Sequence, residues 1–218
     1  MSIVIPPADP VLAKLARHAG DQVRFSRGQR IFTSAEAGQH LYIMRSGKVK
    51  IVGSTDGGRE HLLSICGPPD MFGELSVFDP GPRASTATAV TDVSAISIGR
   101  ADLRQQMNAH PELAEHLLRL LARSLRRCNT MVGEAIFADA PGRVAKVLLE
   151  LATRFGESHP AGIQVDHELS QEEIAQYVGA RRETVNKVLS RFADRGWVQV
   201  MHKSVLILDP ESLAWRAR

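Results

Sequence analysis

Two short stretches of this 218-residue chain carry side chains whose types and spacing could do chemistry. Residues 72–86, FGELSVFDPGPRAST, hold Glu74 and Arg83 nine positions apart, with Gly and Pro turn chemistry between them and small residues after. A carboxylate accepts from a sugar hydroxyl and a guanidinium fork matches phosphate oxygens, so the pair suits a ligand carrying both groups. On these residues alone, a surface hairpin with two solvated charges is the competing account. Residues 169–198, LSQEEIAQYVGARRETVNKVLSRFADRGWV, place Arg181, Arg182, Glu183, Asn186, Lys187 and Arg191 on the outward side of one predicted helix. Arg182 and Lys187 have donors for guanine O6 and N7, and Glu183 can accept from cytosine N4. Arg181 and Arg191 fit phosphate contacts, which orient a helix without specifying sequence. A run of charges is also what a merely solvated face looks like.

The elements around the second stretch decide between those accounts. Ser170 and Glu173 form a capping box signature at a helix start, and Ile174, Ala175 and Val178 give that helix an inner face. Gly179 ends it, and a second helix follows at once with Val185, Val188, Leu189 and Phe192 inward. Small Ala175 and Gly179 let the two helices cross closely, which is the helix-turn-helix requirement. The tail GWVQVMHKSVLILD, two apolar strands about His202-Lys203-Ser204, reads as the wing of a winged helix.

Ahead of it, Val23 to Ile98 alternates as short strands punctuated by glycine, and the turn signals Ser46-Gly47 and Asp56-Gly57-Gly58 imply antiparallel hairpins of a compact β-roll or barrel. A short helix, Pro10 to Ala19, precedes it. The segment PELAEHLLRLLARSLRRCNTMVGEAIF sets Leu113, Leu117, Leu120, Leu121, Leu125, Cys128 and Val132 at spacings of three and four, beside arginines at 119, 123, 126 and 127. That stripe needs cover, from its own domain or from a second copy; periodicity leaves both open. Residues 138–142, ADAPG, read as a hinge, and Val144, Val147, Leu148, Leu151 and Phe155 as a further amphipathic helix ended by Gly156. The fold class is α+β, with a β-roll domain over 1–109, a helix and hinge over 110–138 and a winged helix-turn-helix over 139–218.

Composition excludes more than it selects. With 27 Lys plus Arg against 24 Asp plus Glu, the net charge of +3 is too small to identify a nucleic-acid partner by itself. Two scattered cysteines, Cys66 and Cys128, provide neither a disulfide framework nor ligands for an iron-sulfur cluster, and a reducing cytoplasm fits them. No membrane span or export signal is visible, so a soluble protein with no membrane partner is expected. A cupin-like metalloenzyme would need a histidine pair, and the roll has only His40 and His61 with no HxH or HxxxH spacing. No enzyme activity and no metal are expected.

Together FGELSVFDPGPRAST, the leucine-arginine helix, DAPGRVAKVLLELATRFG and QEEIAQYVGARRETVNKVLSRFADRGWV resemble the cyclic-AMP receptor protein and FNR family of bacterial regulators, most closely its actinobacterial cyclic-AMP receptors. The resemblance covers about residues 20–218. It implies a homodimer joined through residues 111–136, a β-roll holding cyclic AMP, and a DNA-reading helix on an inverted TGTGA repeat, with RNA polymerase as a further partner. It also implies that Glu74 accepts from the ribose 2′-hydroxyl and that Arg83 pairs with the cyclic phosphate. Gly73, Leu75 and Ser76 then lie along the ligand. Ser170, Gln171 and Thr184 join Arg181, Arg182, Glu183, Asn186, Lys187 and Arg191 at the DNA.

Departures from the family pattern carry expectations of their own. Ala84 stands where the family has Ser or Thr against the phosphate, Cys128-Asn129 where Thr and then Ser or Asn meet the adenine, and Ser124 where an arginine is usual. A thiol is a weaker donor and acceptor than a hydroxyl, and a net hydrogen bond contributes about 0.5–1.5 kcal/mol, so cyclic AMP affinity lower by about tenfold is expected. Arg181 replaces a customary Ser, which trades a helix cap for a cation near phosphate. The alternative function is a constitutive DNA-binding regulator whose roll is only a scaffold.

Overall fold

The computed structural model describes residues 2–4, 9–55, 57, 58 and 60–218, with the backbone alone for residues 2 and 134–137. The chain divides into two compact units, Met1–Asn129 and Thr130–Arg218.

The first unit runs β1 (Ser2–Ile3), α1 (Pro10–Ala19), β2 (Asp21–Phe25), β3 (Arg30–Phe32), β4 (His40–Ser46), β5 (Val49–Ser54), β6 (Glu60–Cys66), β7 (Met71–Phe72), α2 (Leu75–Phe78), β8 (Thr86–Ala89), β9 (Val93–Gly99) and α3 (Arg100–Ala109), before α4 (Pro111–Phe137). Two antiparallel sheets form, β1-β7-β4-β9-β2 and β3-β8-β5-β6. Alternation along the strands separates two cores. Phe32, Met44, Val49, Ile51, Phe72, Ala87 and Ala95 make one cluster from both sheets, while Leu41, Ile43, Met71 and Ile98 meet Leu12 and Leu15 of α1, Leu103 of α3 and Leu113, Leu117 and Leu120 of α4 in the other.

α1 has the bounds its sequence predicted, capped by the Asp9 carboxylate accepting from the amides of Val11 and Leu12. The Ser46-Gly47 turn does not make the expected hairpin: β4 and β5 belong to different sheets, so this turn carries the chain from one sheet to the other. The β5–β6 hairpin does form, although Asp56 of its predicted turn lies outside the described residues. The α4 stripe divides into two faces. Leu113, Leu117 and Leu120 are at most 4% exposed, whereas Leu118 is 64%, Leu125 60% and Val132 60% exposed.

The second unit contains α5 (Ala140–Phe155), β10 (Gly156–His159), β11 (Gly162–Val165), α6 (Gln171–Val178), α7 (Arg182–Asp194), β12 (Val198–Met201), β13 (Ser204–Ile207) and α8 (Pro210–Arg216). Its sheet has the order β10-β11-β13-β12. Pro141 and Gly142, read as hinge, lie in the first turn of α5, whose N-cap Asp139 accepts from the Gly142 amide at 2.9 Å. Proline is tolerated there because its missing N–H would have had no intrahelical partner.

Candidate functional site

The pocket of the first unit begins at Gly73, whose φ of +77° turns the chain from β7 into α2. A Cβ there would lie 2.9 Å from Arg83 Nη1 and 3.3 Å from the His40 carbonyl oxygen, so both conformation and space demand glycine. Glu74 follows at the N-cap of α2, and its carbonyl accepts from the amides of Val77 and Phe78 at 3.0 and 2.9 Å. Its side chain is 0% exposed, and neither carboxylate oxygen has a hydrogen-bond partner. Burial pushes its pKa up to about 7, against the opposing pull of its own backbone amide and of Arg83.

Arg83 is held from several sides. Its backbone amide donates to Glu36 O and its carbonyl accepts from the Ala35 amide. Nη1 donates to the Gly73 carbonyl at 2.6 Å and to Ser76 Oγ at 2.9 Å, and Nη2 donates to the His40 carbonyl at 2.7 Å. The guanidinium lies 4.1 Å from the centre of the Phe32 ring, and its buried Nε has no partner. A small cavity of about 10 Å³ is lined by Phe32, Gly73, Glu74, Leu75, Ser76, Arg83, Ala84 and Ser85. A buried acceptor and a buried cation, each with an unused polar atom, fit an occupant with hydroxyl and anionic groups, because an unsatisfied buried polar group costs free energy that such an occupant offsets.

Six of the nine pocket residues predicted from sequence line this cavity. Ser124, Cys128 and Asn129 on α4 are not part of its lining; Ser124 is buried, Cys128 half-buried and Asn129 exposed. Sequence reasoning missed Phe32 and Ser85. Ser85 is a buried hydroxyl beside Ala84, and Phe32 is the platform under the arginine. Phe32 had no local signal beyond its strand pattern.

In the second unit the capping box forms in full: Ser170 Oγ accepts from the Glu173 amide at 3.2 Å, and the Glu173 carboxylate accepts from the Ser170 amide at 2.8 Å. Gly179 ends α6 at φ +68°, the left-handed position glycine favours. Arg143 of α5 secures this turn by donating to the carbonyls of Val178 at 2.9 Å, Gly179 at 3.4 Å and Ala138 at 2.6 Å. Ile174, Ala175, Val178, Val185, Val188, Leu189 and Phe192 are all buried, as the crossing of two helices requires. Ser170, Gln171, Arg181, Arg182, Glu183, Lys187 and Arg191 are exposed, and Thr184 is half-buried. Asn186 departs from the outward set: it is half-buried and its Oδ1 is enclosed without a partner.

No helix among the described residues is long and apolar enough to cross a membrane, and no cluster of metal-ligating side chains occurs among them. The two units thus define a β-roll with a small Glu–Arg cavity, followed by a winged helix-turn-helix. Residues 22–110 match the family model for the cyclic nucleotide-binding domain, and residues 142–215 that for the Crp-like helix-turn-helix domain. The chain is 57% identical over 196 residues to the CRP-like cAMP-activated global transcriptional regulator of Mycobacterium tuberculosis (strain ATCC 25618 / H37Rv), a match covering 90% of this chain and 88% of that one. It is 34% identical over 176 residues to the cyclic AMP receptor protein of Thermus thermophilus, covering 81% and 78% of the two chains. The structure of FixK2 from Bradyrhizobium japonicum shares the fold, with a TM-score of 0.80 at 21% identity over 92% of this chain and 98% of that one. The chain belongs to the Crp-Fnr family of transcriptional regulators.

Proposed function

We propose that this regulator is a cytoplasmic homodimer that binds cyclic AMP in the Glu74–Arg83 cavity and reads an inverted TGTGA repeat with α7, in contact with RNA polymerase. One observation carries the nucleotide reading: a fully buried Glu74 with no partner lines the same small cavity as the buried Arg83. The ribose 2′-hydroxyl donates to Glu74, the cyclic phosphate takes donors from Arg83, and the amides of the turn at Gly73 and Leu75 lie alongside. Cys128 of one α4 and Asn129 of its partner reach the adenine, so the nucleotide favours one placement of the paired helices, and the shift it produces is set by its differential affinity for the two placements. Residues 138 and 139, the only two between α4 and α5, are the joint through which that placement reaches the second unit. On this reading residues 1–109 serve the nucleotide, 110–138 the pairing and 139–218 the DNA. Ala84 and Cys128 lower cyclic AMP affinity by about tenfold relative to relatives with the usual residues.

A second reading has its own support. Arg83 Nη1 and Nη2 already donate to Gly73, His40 and Ser76, and a cavity volume of about 10 Å³ lies far below the roughly 300–1,000 Å³ of common ligand pockets. Those facts suit a constitutive regulator whose roll is only a scaffold. The two readings separate in one titration of nucleotide-stripped protein onto a TGTGA inverted-repeat duplex at fixed salt, with cyclic AMP, cyclic GMP or neither. Tightening by cyclic AMP alone is the expected result; specific binding that no nucleotide alters would replace it with the constitutive reading.

A further inference from the structure

Arg100, the first residue of α3, is absent from the cavity lining yet holds the pocket from behind. Its backbone amide donates to the Gln39 carbonyl at 2.9 Å. Its Nη2 donates to the Gly38 carbonyl at 3.1 Å and, more closely, to the Ser76 carbonyl. Both acceptors belong to segments that shape the arginine site. Gly38 packs so tightly that a Cβ there would fall 2.0 Å from Ser76 Oγ and 2.8 Å from Arg83 Nε. Ser76 receives Arg83 Nη1 on its hydroxyl while its carbonyl receives Arg100, so one residue links the two arginines.

The chemistry explains why a cation belongs there. α2 is four residues long, and its amide bonds reach only the carbonyls of Glu74 and Leu75. The later carbonyls of any helix lack intrahelical partners, and so short a helix cannot hold itself together. Arg100 supplies the partner for Ser76, and its planar guanidinium directs both N–H donors of Nη2 in fixed directions, whereas a lysine ammonium carries its three donors on a flexible stem.

We propose that Arg100 is a positioning residue for the nucleotide: by tying the Gly38 and Ser76 carbonyls together it fixes α2, and through the Ser76 hydroxyl it sets the orientation of Arg83. The proposal rests on the reading that the Glu74–Arg83 cavity binds a cyclic nucleotide. Because Arg100 acts through Ser76, the effects of losing either are coupled.

The test uses the full chain with Arg100→Met, which removes the donors and keeps the stem, Arg100→Lys, Ser76→Ala and the Ser76→Ala/Arg100→Met pair. Calorimetry with cyclic AMP should show about tenfold weaker binding for Arg100→Met and a smaller loss for Arg100→Lys. The double variant should lose less than the product of the two single losses. Without nucleotide, hydrogen exchange at the amides of Val77, Phe78 and Asp79 should quicken about tenfold in Arg100→Met, with the β4–β9 ladder unchanged. Unchanged affinity in both Arg100 variants overturns the proposal, as do losses that multiply fully or weakened binding with undisturbed exchange in α2. If Arg100→Met does not fold, Arg100→Lys carries both readouts. Wild-type protein that fails to bind cyclic AMP would instead remove the nucleotide reading, while the exchange experiment would still decide whether Arg100 braces α2.

Discussion

At the scale of single residues, Glu74 makes the protein respond to protons. Its pKa is raised to about 7 by burial, above the usual carboxylate range, so the folded chain holds a proton that the unfolded chain gives up. Stability from this group is therefore fully present below about pH 4.5 and is lost as pH rises through about 7, a difference of about 3 kcal/mol. Glu74→Gln, which cannot ionise, should raise the urea midpoint above that of the wild type at pH 8 and match it closely at pH 5. A ribose hydroxyl that donates to the carboxylate favours its ionised form, so nucleotide binding should expel a proton. Cyclic AMP affinity is then expected to rise between pH 6 and 8, with heats that differ between phosphate and Tris buffers at equal pH. Equal heats, with no pH trend, would show that Glu74 keeps one protonation state throughout.

At the scale of elements, α7 begins without a side-chain cap. Arg181 occupies the N-cap, makes no capping hydrogen bond and is exposed, so the helix forgoes a side-chain cap there, a cost that the proposed contact with DNA phosphate would offset. Arg181→Ser should stabilise the protein by about 1 kcal/mol through a restored cap. It should also weaken DNA binding on all sequences and reduce the salt slope by about 1. A slope that stays put in gel-shift titrations from 50 to 200 mM salt would take Arg181 off the phosphates. These helices were legible in the sequence because their signals are local: the capping box at Ser170, the glycine at 179 and the 3.6-residue recurrence from Val185 to Phe192 each sit within one turn or two. Sheet pairing was not, since the Ser46-Gly47 signal marks a reversal without naming the partner, and β4 chose β7 and β9 from far along the chain. α3 hid because only Leu103 of it is buried, and β10 because all four of its residues are exposed. Within the pocket, Glu74 and Arg83 were readable by chemical type. Arg100 was not, because backbone carbonyl acceptors leave no mark on a sequence.

At the scale of the whole molecule, the question is what covers the outer face of α4. Leu118, Leu125 and Val132 follow one another at seven residues, the repeat of a two-helix seam, while Leu113, Leu117 and Leu120 are already spent on the first unit's own core and Leu121 packs against it. An apolar row whose leucines are 60% or more exposed at positions 118 and 125 is poorly tolerated by a lone chain in water, and a second α4 is the partner with a matching row. The inverted-repeat site proposed above would require the same arrangement. An inverted repeat presents its half-sites about one helical turn apart, and two recognition helices held together gain from effective concentration what neither has alone. Leu125→Lys should therefore leave far-ultraviolet dichroism unchanged, because this side chain is 60% exposed within one copy, and should shift sedimentation at micromolar concentration from dimer to monomer. Its affinity for the full repeat should fall by about 100-fold or more while its affinity for an isolated half-site stays the same. A wild-type chain that sediments as a monomer and binds repeat and half-site equally would leave the α4 row to some other partner and remove the two-fold reading of the DNA.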